Sequence, residues 1–295
     1  MAKGARVAYT RKNQNRLTGA ERRRFVDAVL SLKRRGEYDE FVRTHIDFYV
    51  ADGEERLRVA HMTPTFLPWH RRFLLDFEEA LQRVDDTVTV PYWDWTRDRS
   101  PAASLWGEDF LGGNGREGDR QVLTGPFARR NGHWRIKESV TDGDFLTRAF
   151  GNPSNPIDLP TPADVEWAMK DTRYDVPPWD SRADGGFRNK LEGWTSGVGT
   201  ARWRNHNRVH RWVGGHMLGG GSVNDPVFWL NHAFVDLLWS RWEREHRRGA
   251  RFLPEHPPGL GEPGHGRVVA RNEPMPPWRT TPGDLLDHER IYRYV

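Results

Sequence analysis

Six of the twelve histidines fall into two groups of three: His45, His61 and His70 in the N-terminal third, and His206, His210 and His232 far downstream. In the stretch H-N-R-V-H, His206 and His210 stand four residues apart. On a helix that spacing puts both imidazoles on one face, one turn apart, within reach of a single ion. One histidine on an apolar helix face is ordinarily a satisfied core residue. Two trios among aromatic residues and tight turns read instead as two metal sites. The remaining histidines, His133, His216, His246, His256, His265 and His288, sit mostly in polar or loop contexts and read as surface or locally bonded groups. His216 comes nearest to an exception, because it falls in a glycine-rich turn beside the second trio.

The donor set narrows the chemistry. Carboxylate-bridged metal pairs need Asp or Glu among the ligands, and a helical di-iron bundle would show inward Glu-x-x-His pairs. Neither trio has that pattern, and the chain has no cysteine, which removes thiolate sites, disulfides and thiol nucleophiles together. Imidazole alone suits zinc, copper, iron or nickel, and three ligands per ion leave positions open for an exogenous molecule. A hydrolytic zinc pair stays as an alternative, although it would have no carboxylate ligand or evident base. Copper with dioxygen fits better.

Helices must position these groups. Thr18 followed by Glu21 predicts a capping box opening a helix to about Leu32, closed by Gly36. His45 falls in a second predicted helix, Tyr38 to Tyr49. A-D-G-E-E-R then breaks regularity, which places His61 on a loop or helix end. Pro68 suits a first turn, and apolar spacing predicts a helix from Trp69 to Val84 with His70 at its start. The stretch T-V-T-V-P-Y-W-D-W-T reads as extended, and few periodic signals follow until Phe187. Helices are predicted around Trp203 to Val213 and Pro226 to Arg244, the latter the most apolar of the chain and the carrier of His232. Asp225 stands where its N-cap would be. Asp236, four residues after His232, is placed to orient that ligand as a hydrogen-bond acceptor. Two helix pairs bringing histidines inward make a mainly α fold, a central antiparallel four-helix bundle with long surface loops and a few short strands, in a single domain over residues 1–295.

Composition excludes other classes. Forty-five Lys and Arg nearly balance 41 Asp and Glu, for a formal charge of +4. The basic runs Arg22 to Arg24, Lys33 to Arg35 and Arg244 to Arg251 sit near helix ends and read as solvated faces, not as a nucleic-acid footprint. Fourteen tryptophans argue for order throughout. No stretch approaches the roughly 18 apolar residues of a membrane span, and the N-terminus lacks the apolar core of a leader. The expectation is a soluble protein without its own export signal.

The segments T-H-I-D-F, F-L-P-W-H-R-R-F-L-L-D-F-E, V-P-Y-W-D-W, L-E-G-W, H-N-R-V-H and N-D-P-V-F-W-L-N-H resemble the bacterial, actinomycete-type tyrosinases and o-aminophenol oxidases, which are type-3 copper proteins. The likeness spans essentially the whole chain. It implies a binuclear copper centre in the bundle, with His45, His61 and His70 on one ion and His206, His210 and His232 on the other. It also implies dioxygen as co-substrate and a small phenolic substrate oxidised by two electrons to a quinone or quinone imine. Glu192 and Asn207 match residues that hold a water helping to deprotonate the phenol, and Phe228 matches a ring near the ligands that is expected to line the substrate pocket. Two positions depart from the melanin-forming members: Asn231 stands where a second adjacent histidine is usual, and Arg211 where an apolar residue is common. Both are expected to face the open side of the copper pair. These departures point to oxidation of o-diphenols or o-aminophenols with weak hydroxylation of monophenols. The alternatives are a full monophenol-hydroxylating tyrosinase and, in another class, a reversible dioxygen carrier. The family further implies a small copper-delivering partner protein, which leaves a cytoplasmic or a partner-exported location open.

Overall fold

A computed structural model describes residues 9–51, 53–140 and 143–295, so most of the N-terminal segment read for a leader, and residue 52 of the expected break, lie outside the described residues. Among the described residues the chain folds into seven α-helices joined by long connections. They are α1 (Gly19–Arg35), α2 (Glu37–Phe48), α3 (Phe66–Gln82), α4 (Pro162–Met169), α5 (Phe187–Glu192), α6 (Asn205–Val213) and α7 (Val227–Glu245). Two short strands, β1 (Tyr9–Arg11) and β2 (Tyr292–Tyr294), pair in parallel.

Local chemistry accounts for the helix ends. Thr18 Oγ accepts the Glu21 N–H while the Glu21 carboxylate accepts the Thr18 N–H, and Gly36 leaves α1 at φ 80°. That left-handed residue is what lets α2 start at once. Helix α3 begins a turn earlier than Pro68 suggested, because Phe66 and Trp69 already bond back to Thr63 and Thr65. Helix α4 lies in the stretch where periodicity was weak. Its signal was a capping box, Thr161 with Asp164, followed by Pro162 at the first helical position.

Helices α2, α3, α6 and α7 form the bundle: α3 and α6 both pack on α7, and α2 packs on the 3-10 turn Gly220–Asn224 that leads into α7. Side chains from Phe25 to Tyr292 make one apolar cluster, in which Trp229 stacks on Phe77 at 3.7 Å. The segment around Val90 and Tyr92, expected to be extended, joins the protein through one isolated parallel bridge between Asn13 and Tyr92. It is tied by the Tyr92 N–H to the Lys12 carbonyl and the Trp93 N–H to the Leu230 carbonyl. Lys33 corrects the reading of its basic run as solvated: it is buried, ion-paired with Asp39 and set over the Trp134 ring.

Gly193 couples α5 to α6. It ends α5 at φ 105°, and a Cβ there would lie 1.9 Å from the Arg204 carbonyl oxygen. Gly193→Ala is therefore expected to cost more than about 2 kcal/mol, from the left-handed backbone and the displacement of the residues leading into α6. A urea unfolding midpoint equal to wild type would contradict this.

Candidate metal centre

The six histidines converge from four helices and one loop. His45 comes from the last turn of α2, His61 from the loop before α3, His70 from α3, His206 and His210 from α6, and His232 from α7. Within each trio the nearest ring nitrogens lie within 4.8 Å of one another. The trios are adjacent: the His70 and His232 rings stack at 4.1 Å, and His61 and His206 stand 6.1 Å apart.

Hydrogen bonds fix which nitrogen is free. The Nδ1 atoms of His45, His70 and His210 face the carbonyls of Gly220, Phe66 and Met217 at 2.6, 2.8 and 2.6 Å, and a carbonyl can only accept. Each Nδ1 therefore carries the proton, which leaves Nε2 as an unprotonated lone pair; these three Nε2 atoms are buried without partners among the described residues. His206 Nδ1 donates in the same way to Asn207 Oδ1 at 3.1 Å, so its Nε2 is also a lone pair. That Nε2 lies 3.2 Å from His232 Nε2. Two imidazole nitrogens bound to one ion at ~2.0–2.1 Å stand about 3 Å apart, so the separation of these two Nε2 atoms matches a pair of ligands on a shared cation. Buried neutral nitrogens, four of them with tautomers fixed by hydrogen bonds, fit copper ions, with three donors available to each.

Burial keeps these rings uncharged. Desolvation brings His45 and His210 down to about 4 and the other four well below the ordinary histidine value, with repulsion from neighbouring rings adding to it, or from Arg211 in the case of His210. Neutral imidazole is the ligating form. The folded metal-free chain binds fewer protons than the unfolded chain as pH falls below 6.5, so its stability falls with pH across that range. For His45 and His210 the loss runs from about pH 6.5 to about 4. Metal-free protein is expected to show a melting temperature dropping steeply over that window, and a flat profile would contradict the burial of the six rings.

An open cleft reaches the centre, lined by Tyr49, His61, Trp194, Trp203, His206, Asn207, His210, Arg211 and Leu218 among others. Arg211 stacks its guanidinium over Trp203 at 3.7 Å and, among the described residues, pairs with no carboxylate. Glu192 is wholly buried beside the cleft, and desolvation raises its carboxyl above the usual range despite the Arg188 guanidinium at 2.8 Å. Tyr49 and the two tryptophans went unnoticed in the sequence, since an aromatic there is indistinguishable from core.

Several expectations need correction. Asn231 does not line the cleft: it is fully buried in α7, with neither polar side-chain atom bonded among the described residues. One residue along a helix turns the side chain ~100°, so a neighbour of a ligand need not share its face. Phe228 is also fully buried and packs beneath the centre, 4.1 Å from the His232 ring and 5.0 Å from His45. Asp236 orients no histidine; Arg71, Arg11, Tyr292 and Tyr294 occupy its oxygens. The N-cap of α7 is Pro226 and not Asp225, which lies one residue earlier, accepts the Val227 N–H and holds Arg148 in a two-pronged pair. His216 bonds to Thr147, outside both trios.

The family model for the common central domain of tyrosinase matches residues 35–245. A tyrosinase of Streptomyces antibioticus is 52% identical over 96% of this chain and 98% of its own length. A grixazone synthase of Streptomyces griseus subsp. griseus is 45% identical over 98% and 99%. Among solved structures, a functional unit of octopus hemocyanin shares the fold at TM-score 0.59 and 20% identity, covering 97% of this chain and 68% of that one. With its two histidine trios, matched domain and near full-length relatives, the chain belongs to the tyrosinase family and is a type-3 copper oxidoreductase.

Proposed function

We propose that the two trios hold two copper ions and that the protein uses dioxygen to oxidise o-aminophenols and o-diphenols, hydroxylating monophenols weakly. The observation that carries the substrate preference is Arg211, a guanidinium without a carboxylate partner among the described residues, laid against Trp203 at the mouth of the cleft. A cation held flat on an indole keeps its outer N–H groups free for an acidic substituent on the incoming ring. The relative named grixazone synthase supports the aminophenol reading.

When bound, the copper pair supplies dioxygen binding and two one-electron changes per substrate. Each o-diphenol loses two electrons and two protons, so two substrates reduce one dioxygen to two waters. The chain's own part is to seat the ring and take up the phenolic proton. Asn207, on the cleft beside His206, and the buried Glu192 carboxylate are proposed to hold the water that receives it. A carboxyl whose affinity for protons is raised by burial is suited to that task. Trp194, Trp203 and Tyr49 supply the apolar walls, and the cleft's openness favours turnover over reversible dioxygen carriage. A small copper-delivering partner remains part of this reading.

A full monophenol-hydroxylating tyrosinase is the second reading, favoured by the S. antibioticus relative's name and its identity. Copper-loaded protein assayed side by side on tyrosine, a catechol and 3-amino-4-hydroxybenzoate separates the two. The aminophenol is expected to be oxidised fastest, and Arg211→Leu is expected to raise its KM about tenfold, more than the catechol's, through loss of a charge-assisted contact. Comparable turnover of tyrosine would overturn the preference.

A further inference from the structure

Five of the six histidines belong to helices, and four of the six fix their rings through Nδ1–H bonds to the carbonyls of Gly220, Phe66 and Met217 or to Asn207 Oδ1. His61 has neither support. It lies on a loop, and its Nδ1 is buried without a partner among the described residues. Its ring is held only by packing, against Tyr49 at 4.8 Å, His70 at 4.9 Å and His45 at 5.0 Å. Backbone placement therefore decides where this ring points. The next residue, Met62, is buried and adopts φ 53°, a left-handed conformation that a non-glycine side chain disfavours.

A buried carboxylate holds that turn. The Met62 N–H donates to Glu192 Oε1 at 2.7 Å, across 130 residues of sequence. The other carboxylate oxygen accepts from Arg188 at 2.8 Å, and Arg188 is itself clamped by Asp175 at 2.7 and 3.0 Å. Glu192, Arg188 and Asp175 are all fully buried. The rest of the loop has separate anchors: Thr63 and Thr65 bond the carbonyls of Arg58 and Val59, and Tyr174 bonds that of Pro64. Loss of the Glu192 bond would thus free the turn at His61 and Met62 without unfolding the loop.

We propose that Glu192 is a positioning residue for the first metal ligand set, its carboxylate locking Met62 in the left-handed turn that aims His61 at the ion shared with His45 and His70. The inference rests on reading the trios as copper sites and adds a function to Glu192 separate from any proton transfer. A carboxylate has lone pairs enough for both, since two oxygens accept about four hydrogen bonds. The Asp175–Arg188 pair makes the anchor rigid, as a carboxylate free to swing could not hold a strained turn.

Glu192→Gln keeps an oxygen that can accept the Met62 N–H, Glu192→Ala does not, and Met62→Gly removes the conformational penalty. In the full-length chain, with copper and after its removal, Glu192→Ala is expected to speed Met62 amide hydrogen exchange about 10- to 100-fold. It should also weaken one of two copper sites about 10- to 100-fold, as losing an outer hydrogen-bond partner does. A half-filled centre leaves a lone cupric ion with an unpaired electron, so an EPR signal should appear in Glu192→Ala and be small in Glu192→Gln. Adding Met62→Gly to Glu192→Ala should recover copper binding in part. Wild-type exchange at Met62 with both coppers held at wild-type affinity in Glu192→Ala would overturn the proposal. If Glu192→Ala does not fold, Glu192→Gln with and without Met62→Gly decides, because an unchanged copper affinity across that pair together with unprotected Met62 exchange in the wild type has the same meaning. Failure of wild-type protein to bind copper would sink the functional reading instead, and the Met62 exchange would still test the clamp.

Discussion

Alanine at His210 is expected to take the chain from two bound copper ions to one and to abolish turnover of a catechol. His210 is fixed by its Nδ1–H bond to Met217, which aims a single buried lone pair at the site shared with His206 and His232. Two imidazoles remain in the variant, and Met217 loses its donor. Disturbing an outer partner alone costs ~10–100-fold in metal affinity, so removing a direct ligand should cost more than about a hundredfold. A single remaining copper changes by one electron where the substrate must give up two, so activity should vanish and not merely decline. Copper analysis by mass spectrometry and a catechol assay on the same sample check both halves. Two ions retained at near wild-type affinity would show that the second trio is not the ligand set.

The second large effect lies one turn further along α7 than His232. Asp236→Ala is expected to destabilise the protein by about 3–5 kcal/mol, because it removes the shared partner of two buried guanidiniums. Asp236 accepts from Arg71 at 2.6 Å, from Arg11 at 3.4 Å and from the hydroxyls of Tyr292 and Tyr294 at 2.6 Å each. Arg11 and Arg71 are fully buried, with Glu78 and Glu243 as their remaining carboxylates. Burial alone would raise the Asp236 carboxyl, but Arg71, His288 and Arg11 outweigh it and bring it down to about 2. Its stabilisation is therefore present above pH 3.8 and is lost as pH falls through about 2. For a chain of this size the melting temperature should fall by roughly 10 °C. Tyr294→Phe, which removes a neutral hydroxyl that donates to Asp236 and accepts from Arg11 but leaves both charges paired, should cost only about 1–2 kcal/mol. Equal effects of the two substitutions would mean that the network's charge is not what stabilises it.

Why some of this was legible in the sequence and some was not follows from distance along the chain. The His206 and His210 pair was readable because helical period alone puts them on one face, and the Thr18 capping box because it is a four-residue pattern. The helix of Pro162 was equally local and carried its own cap, yet its short apolar stripe hid it. Asn231 was misplaced because adjacency to His232 says nothing about which way a helical neighbour turns. The Asp236 network was invisible for a stronger reason: its partners sit 165 and 225 residues away and at the far end of the chain, and no local pattern encodes them. The Glu192 to Met62 bond belongs to the same class.

The pairing of β1 with β2 has a consequence for biosynthesis. Arg11 and Tyr294 meet across 283 residues, and Tyr9, Thr10 and Arg11 align with Tyr292, Arg293 and Tyr294. A nascent chain on the ribosome can form α1 to α3 early, but the polar side of the α3 and α7 interface stays unsatisfied until Tyr294 has emerged. Arg11 and Glu78 can pair with each other once α3 has been made, whereas Arg71 must wait for Asp236 and Glu243 of α7, and Asp236 in turn for the hydroxyls of Tyr292 and Tyr294. The six-histidine centre, whose His70 and His232 sit on those two helices, therefore cannot assemble before α7 has been synthesised.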